Sequence, residues 1–160
     1  MSSYGNSQYG RNQYGNSPNT RNNNYAPPVN YSEIIKKCTE TFPVDKEAEN
    51  FAKGLKELKI TSAQLRRFYN DFKSLERKYE VLCADPEKKE DAFTSLLPQI
   101  KISKAKASYA RARKTIPKEF ETWLHQSVDK VNNADSFEKF LLHFEALVGF
   151  AYGAGLKDNK

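Results

Sequence analysis

The residues most suited to a chemical role are lysines and arginines that lie close together without acids among them. No aspartate or glutamate occurs between Asp91 and Glu119. Helix surfaces that are merely solvated usually carry acids three or four positions from their lysines and arginines. The missing acids therefore favour an anionic partner, the phosphate backbone of a nucleic acid, over a plain solvated face. The basic residues of this interval are Lys101, Lys104, Lys106, Arg111, Arg113, Lys114 and Lys118.

Helical spacing arranges these cations in two lines. Lys101, Lys104 and Arg111 share one face of a helix, while Lys106 and Arg113 lie on a second. The alanines between them have short side chains that do not project from the helix, so a phosphate backbone could approach closely. Lys114 completes this candidate nucleic-acid surface.

A shorter line of cations, earlier in the sequence, is more ambiguous. Arg66, Lys73 and Arg77 fall on one face of a predicted helix. Acids accompany this line, so a nucleic-acid contact and a solvated charged face fit it equally well. The acids nearby are Asp71, Glu76 and Glu80.

Residues for catalysis or metal binding do not form a recognisable pattern. His125 and His143 are the only histidines, and neither stands near a serine or cysteine pattern of mechanistic meaning. Cys38 and Cys83 lie far apart, without CxxC or CxxH spacing. The sequence therefore predicts no catalytic residue, no metal site, no cofactor and no small-molecule substrate. His125 is better explained as a residue on the surface of a helical bundle than as a base.

The composition is that of a basic protein that stays inside the cell. Among 160 residues, 26 lysines and arginines stand against 20 aspartates and glutamates, which gives a net charge of +6. No apolar run approaches the roughly 18 residues that span a bilayer, and the N-terminus lacks the features of a signal peptide. We expect a soluble cytoplasmic protein with no membrane partner.

The first 30 residues differ from the rest of the chain. They contain Tyr-Gly pairs at a five-residue period, an asparagine run and very few aliphatic residues. Too little apolar surface is present to offset the entropy of ordering the backbone, about 1 to 2 kcal/mol per residue. We therefore predict a disordered tail over residues 1–30 and one helical domain over residues 31–160. A solubilising leader explains the tail better than stacking on exposed bases does.

Hydrophobic residues recur at the helical period from Tyr31 onward, and no segment resembles a strand. The predicted fold class is all-α, a compact bundle of five to six helices. Ser32 is expected to cap the first helix. Thr61 and Gln64 form a capping box at the start of the third. The apolar stripe of that third helix consists of Leu65, Phe68, Phe72, Leu75, Tyr79 and Leu82.

Two later helices carry further expectations. Pro98 is expected to break or kink the chain, so that the main basic interval lies on a separate helix from about Gln99 to Lys114. Asp135 or Ser136 is expected to cap the last helix. That helix is apolar nearly all round, with Leu142 on its back, so it is either central in the bundle or covered by a neighbouring subunit.

Three segments, in this order, resemble one known family. They are TSAQLRRFYN at residues 61–70, SYARAR at 108–113 and FEKFLLHFEALVGFAYGAG at 137–155. The family is the small subunit of the type III-A (Csm) CRISPR effector complex, and the resemblance covers about residues 61–155. By position, Arg66 and Arg113 match basic motif residues of this family, and Tyr109 matches its motif tyrosine.

The resemblance implies a helical bundle in several copies, stacked as an inner filament beside the subunits that hold the CRISPR RNA. It implies contact with the backbones of CRISPR RNA and target RNA and no nuclease activity. The implied protein partners are other Csm subunits and further copies of the chain itself. The main alternative is a helical adaptor whose basic face meets an acidic protein surface, without direct nucleic-acid binding. The third alternative is an unrecognised helical enzyme.

Overall fold

The computed structural model describes residues 26–157, and within that range the chain forms six α-helices and no β-strand. This confirms the all-α prediction for the described part. The predicted tail falls outside it as far as residue 25, while residues 26–30 are exposed and not helical. No helix within residues 26–157 is both long and apolar enough to cross a membrane. The helices are α1 (Tyr31–Thr41), α2 (Lys46–Glu57), α3 (Ser62–Leu82), α4 (Lys89–Ala112), α5 (Lys118–Lys130) and α6 (Ala134–Gly153), with a 3-10 turn at Pro86–Lys88 before α4.

The last helix, α6, is the centre of the bundle. It packs against α2, α3 and α4, while α5 packs against α1 and α4. The ring of Phe140 meets that of Phe72 from α3 edge-on, with centroids 4.9 Å apart. The Phe144 ring lies 5.0 Å from that of Trp123 on α5. All four side chains are buried, so one aromatic core joins three helices.

The opposite side of α6 remains uncovered within the described chain. Leu142 is 58% exposed, and Gly149 beside it on this side is also exposed. The helix is therefore central on one face and open on the other. Cover of the open face by a neighbouring subunit stays a prediction.

A buried histidine ties the loop between α1 and α2 to this core. The Trp123 indole N–H donates to His143 Nε2 at 3.1 Å. On the other side of the imidazole, Nδ1 donates to the carbonyl of Pro43. The His143 side chain is fully buried, and desolvation lowers its pKa from the ordinary value. A neutral imidazole, with one donor and one acceptor, matches both of these bonds.

The helix starts show which polar residues serve as caps. The capping box at α3 is confirmed, because Gln64 N–H donates to Thr61 Oγ1 at 3.2 Å and Thr61 N–H donates to Gln64 Oε1 at 3.0 Å. The expected cap Ser32 is wrong, since Asn30 accepts from Glu33 N–H at 3.2 Å instead. Asp135 and Ser136 do not cap α6 either. Asn133 does, and Ser136 completes its capping box. Several neighbouring residues could cap each of these helices, and sequence preference alone does not choose among them.

The expected break at Pro98 is also wrong. Helix α4 runs through it for 24 residues, so the predicted separate helix from Gln99 to Lys114 is the second half of α4. Leu96 and Ile100 are buried on either side and hold the helix to the core. Pro98 itself lies on the exposed side, as does Thr94. Water can therefore reach the Thr94 carbonyl that lacks its usual helical donor.

The apolar stripe of α3 is confirmed except at its end. Its first five residues are buried, but Leu82 is 46% exposed. Leu82 lies in the last turn of α3, where Val81 is exposed as well. The helical period placed Leu82 near the stripe, but the bundle covers α3 only as far as Tyr79.

Candidate nucleic-acid interface

The cations of α4 lie on its two sides, as their spacing predicts. Ile100, Ser103 and Ala107 form the buried stripe between the two sides. On one side, Lys104 reaches Asp129 of α5. On the other, Lys106 reaches Asp71 of α3. The second half of α4 is therefore a basic ridge with one neighbouring helix on each flank.

The expectation that all of these charges lack acidic partners is wrong for two lysines. Lys104 Nζ lies 2.6 Å from Asp129 Oδ1, and Lys106 Nζ lies 3.1 Å from Asp71 Oδ2. The acids come from helices distant in sequence, so neighbouring positions could not reveal them. Both pairs are partly exposed, and such pairs contribute at most about 1 kcal/mol to stability.

Within residues 26–157, three other cations of this ridge have no side-chain partner, and a fourth, Arg113, forms no ion pair but donates a hydrogen bond to Tyr109. Among the described residues, Lys101, Arg111 and Lys114 form no ion pair. Lys101 and Lys114 are exposed, and Arg111 is partly exposed. Arg111 also lies in the last turn of α4, where a cation interacts favourably with the helix dipole by about 0.3 to 1 kcal/mol. This structural role accounts for Arg111 but not for Lys101.

A groove of about 720 Å³ lies between α3 and the second half of α4. The buried side chains of Phe68 and Ile116 line it, together with the exposed Ile102 and Tyr109. Its cations are Arg67, Lys106 and Arg113, and Asp71 is its acid. The groove thus combines apolar surface with a net positive charge.

Arg67 is a groove residue that the charge pattern did not single out. The charge pattern pointed to its neighbour Arg66, which lies on another side of α3. The signal was available in the helical spacing, because Arg67 stands four residues before Asp71 and shares its face. Both residues line the groove that α3 forms with α4.

Tyr109 and Arg113 form a hydrogen-bonded pair at the groove. Arg113 Nη1 donates to the Tyr109 hydroxyl at 2.9 Å, and the guanidinium carbon lies 5.6 Å from the centre of the ring. The two residues are four positions apart on the same side of α4. Tyr109 is 61% exposed despite its aromatic ring. An exposed aromatic ring beside a guanidinium is typical of surfaces on which nucleobases stack.

The end of α4 has a specific backbone geometry. Lys114 adopts a left-handed conformation with φ of 58°. The Lys114 N–H donates to the Arg111 carbonyl at 2.9 Å, and the Thr115 N–H donates to the Ala110 carbonyl at 3.0 Å. These two bonds are the Schellman ending, in which glycine is usual at the left-handed position. A lysine stands there instead.

The shorter line on α3 lies apart from the α4 ridge. Arg66 Nη2 donates to the Tyr152 hydroxyl of α6 at 2.7 Å, so this side of α3 faces α6. Lys73 is paired with Glu76 on its own helix, and the hydrogen bond to Glu76 raises the pKa of Lys73. Helical spacing places Arg77 on the same side. The structure therefore does not bring this line together with the cations of α4.

Residues for other chemistry are not gathered in the described range. No group of three or more histidine, cysteine or acidic side chains within residues 26–157 could hold a metal ion. His125 is partly buried between α4 and α5, where its Nε2 lies 3.0 Å from both the Ser108 hydroxyl and the Lys104 carbonyl. These contacts join two helices.

Comparison with known proteins identifies the family. Searches of curated proteins and of solved structures returned no match. The sequence model of one family, Csm2 Type III-A, matches residues 39–153. That family consists of structural, generally non-catalytic subunits of the type III-A CRISPR complex, which associate with other Csm subunits. The match spans α2 to α6 and every candidate RNA-contact residue, and the chain therefore belongs to the Csm2 family of type III-A CRISPR systems.

Proposed function

We propose that the second half of α4 contacts the phosphate backbones of CRISPR RNA and target RNA without regard to sequence. The observation that supports this most directly is that Lys101, Arg111 and Lys114 have no side-chain partner among the described residues and lie on a ridge that the bundle leaves accessible. Residues 101–114 extend over about 20 Å of helix. Several phosphates of one strand could be contacted along this length.

The paired lysines add to the same surface. Lys104 and Lys106 each hold an exposed carboxylate, and such pairs are weak in water. A phosphate could replace either acid at little cost, because one anion would be exchanged for another. Lys104 and Lys106 therefore belong to the proposed RNA contact, together with Tyr109, Arg113 and the unpaired cations.

Arg66, Lys73 and Arg77 form a proposed second RNA contact on another side of the molecule. Because Arg66 and Lys73 already hold Tyr152 and Glu76, we expect these residues to contribute less than the α4 ridge does. An RNA strand that contacts both sides would have to pass around α3. Alternatively, the strand would contact one side of one copy and the other side of a neighbouring copy.

We also propose that the subunit bridges its neighbours, which are other Csm subunits and further copies of itself. The open side of α6, with the exposed Leu142, supports this. Leu142→Glu should then weaken incorporation into the complex while leaving the melting temperature of the isolated subunit unchanged. Normal incorporation of that variant would contradict the bridging proposal.

The RNA proposal is tested by reversing two unpaired cations on the same side of α4. We expect Lys101→Glu with Arg111→Glu to weaken binding of target RNA by the assembled complex, equally for unrelated sequences. If about five side chains contact phosphates, log K falls with log salt at a slope near 3.5, since each single-strand contact contributes about 0.7. Loss of two contacts should flatten that slope by more than about one unit.

A matched control makes the same charge change elsewhere. Lys46→Glu with Lys56→Glu, on exposed positions of α2, should leave both affinity and salt slope unchanged. Unchanged affinity and slope for the α4 variant would remove the RNA proposal. The adaptor function, in which the basic ridge meets an acidic protein surface, would take its place.

A further inference from the structure

The groove between α3 and α4 has an apolar and aromatic lining that contact with a phosphate backbone does not require. A phosphate needs only a donor or a cation, yet this groove is lined by the aromatic rings of Phe68 and Tyr109 and by Ile102 and Ile116. Ile102 is 53% exposed, which leaves apolar surface in water in the isolated subunit. Apolar surface with a few polar groups and cations is the composition of a ligand site.

We propose that this groove binds a single unstacked nucleotide of the target RNA strand. This inference rests on the proposed function and adds a base contact to the backbone contact. The base stacks on Tyr109 over the apolar surface, and its phosphate is held by Arg67 and Arg113. The volume of about 720 Å³ lies within the range of small-molecule pockets and accommodates a base with its sugar and phosphate.

The Tyr109–Arg113 pair is already arranged for stacking. The hydrogen bond between Arg113 Nη1 and the Tyr109 hydroxyl, at 2.9 Å, restrains the ring and the guanidinium relative to one another. Less side-chain freedom is then lost when a base stacks on them. Stacking tolerates any base, because each has a π face, so this site would not make the subunit sequence-specific.

Charge favours a nucleotide as the occupant of the groove over the N-terminal segment of the chain itself. The groove has three cations, Arg67, Lys106 and Arg113, against the single acid Asp71, so it favours an anionic ligand. Residues 1–25 contain tyrosines, but their charged side chains are Arg11 and Arg21, without any acid. Electrostatic repulsion therefore disfavours the N-terminal segment, and attraction favours a phosphate.

The test combines one abasic nucleotide with one aromatic substitution. Target RNA with a single abasic position, moved along the strand, is bound to the complete complex, and positions at the groove should lose affinity by about 5-fold to 100-fold. Tyr109→Leu changes every copy of the subunit, so it should cause at least as large a loss with intact RNA, and abasic RNA should then lose nothing further at those positions. Tyr109→Phe retains the ring but loses the hydrogen bond to Arg113, so its loss of affinity should be clearly smaller than that of Tyr109→Leu.

The outcomes separate this inference from the backbone proposal. If Tyr109→Leu leaves every abasic penalty unchanged while Lys101→Glu with Arg111→Glu still flattens the salt slope, the groove inference is wrong and the backbone proposal stands. If an abasic penalty that depends on Tyr109 emerges only after residues 1–25 are deleted, the N-terminal segment fills the groove in the full chain, and the inference is overturned. Tyr109 is exposed, so circular dichroism of the variant should match that of the original protein.

Discussion

Lysines occupy positions in this protein where the backbone conformation would suit glycine better. Lys114 is the example at the end of α4, where a left-handed φ of 58° would suit glycine. A non-glycine residue in this conformation costs about 1 kcal/mol or more. Lys59, at the end of α2, has φ of 63° and the same pair of closing hydrogen bonds. The two lysines thus share a local structure and differ in their surroundings.

The shared backbone geometry of Lys114 and Lys59 gives a prediction about Lys114. Lys114→Gly should raise the free energy of unfolding slightly, by up to about 1 kcal/mol, because glycine relieves the strained backbone. It should also lower the salt slope of RNA binding by about 0.7, since one phosphate contact is lost. Urea unfolding and RNA titrations at several salt concentrations measure the two effects.

Lys59→Gly is the matched control. It should give the same gain in stability with no change in RNA binding. Equal effects of the two substitutions on RNA binding would show that Lys114 has no special role.

The buried imidazole of His143 predicts how stability depends on pH. Burial holds its folded-state pKa below the ordinary value of 6.5, so the unfolded chain binds a proton more readily than the folded one. The free energy of unfolding should therefore fall as the pH decreases below about 6.5, with a slope of at most about 1.4 kcal/mol per pH unit. Urea unfolding between about pH 5 and pH 7.5 measures this. The slope should disappear in His143→Gln, and a persistent slope would assign the effect to other groups.

At the scale of residues, the sequence predicted which cations share a side of α4 but not which acids meet them. The spacing of Lys101, Lys104 and Arg111 is a local property of a helix, so it could be read directly. The partner of Lys104 is Asp129, on another helix, and only the packing of α4 against α5 brings the two together. Long-range pairing of this kind is outside the reach of a local pattern.

At the scale of elements, α4 shows how packing outweighs propensity. Proline disfavours the interior of a helix by about 3 kcal/mol relative to alanine. The anchors on either side, Leu96 and Ile100, are buried, and their hydrophobic burial offsets a cost of that size. The capping box at Thr61 could be predicted because all its parts lie within four residues. The continuity of α4 could not, because it depends on the helices packed against it.

The continuity of α4 leads to a prediction for Pro98→Ala. The substitution restores an N–H that can donate to the Thr94 carbonyl, so the free energy of unfolding should rise by about 1 to 3 kcal/mol. Chemical denaturation measures the gain. Gln99→Ala, at the next exposed position, should change stability by less than about 0.5 kcal/mol. Absence of any gain in Pro98→Ala would mean that α4 has fully adapted to the proline.

At the scale of the whole molecule, we propose that residues 31–160 are one folding unit and that the main contribution of the preceding segment is the cap at Asn30. The side chain of Asn30 accepts the Glu33 N–H at the start of α1. Residues 26–30 are otherwise exposed. The boundary at residue 31 followed from composition, but the cap just before it did not, because sequence preference predicted the cap at Ser32 and the structure places it at Asn30.

Two truncations separate these contributions. Deletion of residues 1–25 should leave the melting temperature unchanged, since the cap remains. Deletion of residues 1–30 should cost about 1 kcal/mol, and Asn30→Ala in the full chain should cost the same. Calorimetry of the three proteins measures this, and a large loss from the shorter deletion would show that the N-terminal segment docks on the bundle.

The aromatic core has an optical consequence. Trp123 is the only tryptophan in the chain, and its indole is buried against Phe144 and hydrogen-bonded to His143. Its fluorescence therefore arises from the centre of the bundle, while the proposed RNA surface lies on the outside of α4. Red-shifted emission should accompany loss of the core, and RNA binding should leave the spectrum unchanged. One intrinsic fluorophore thus distinguishes a variant that binds RNA poorly from a variant that is no longer folded.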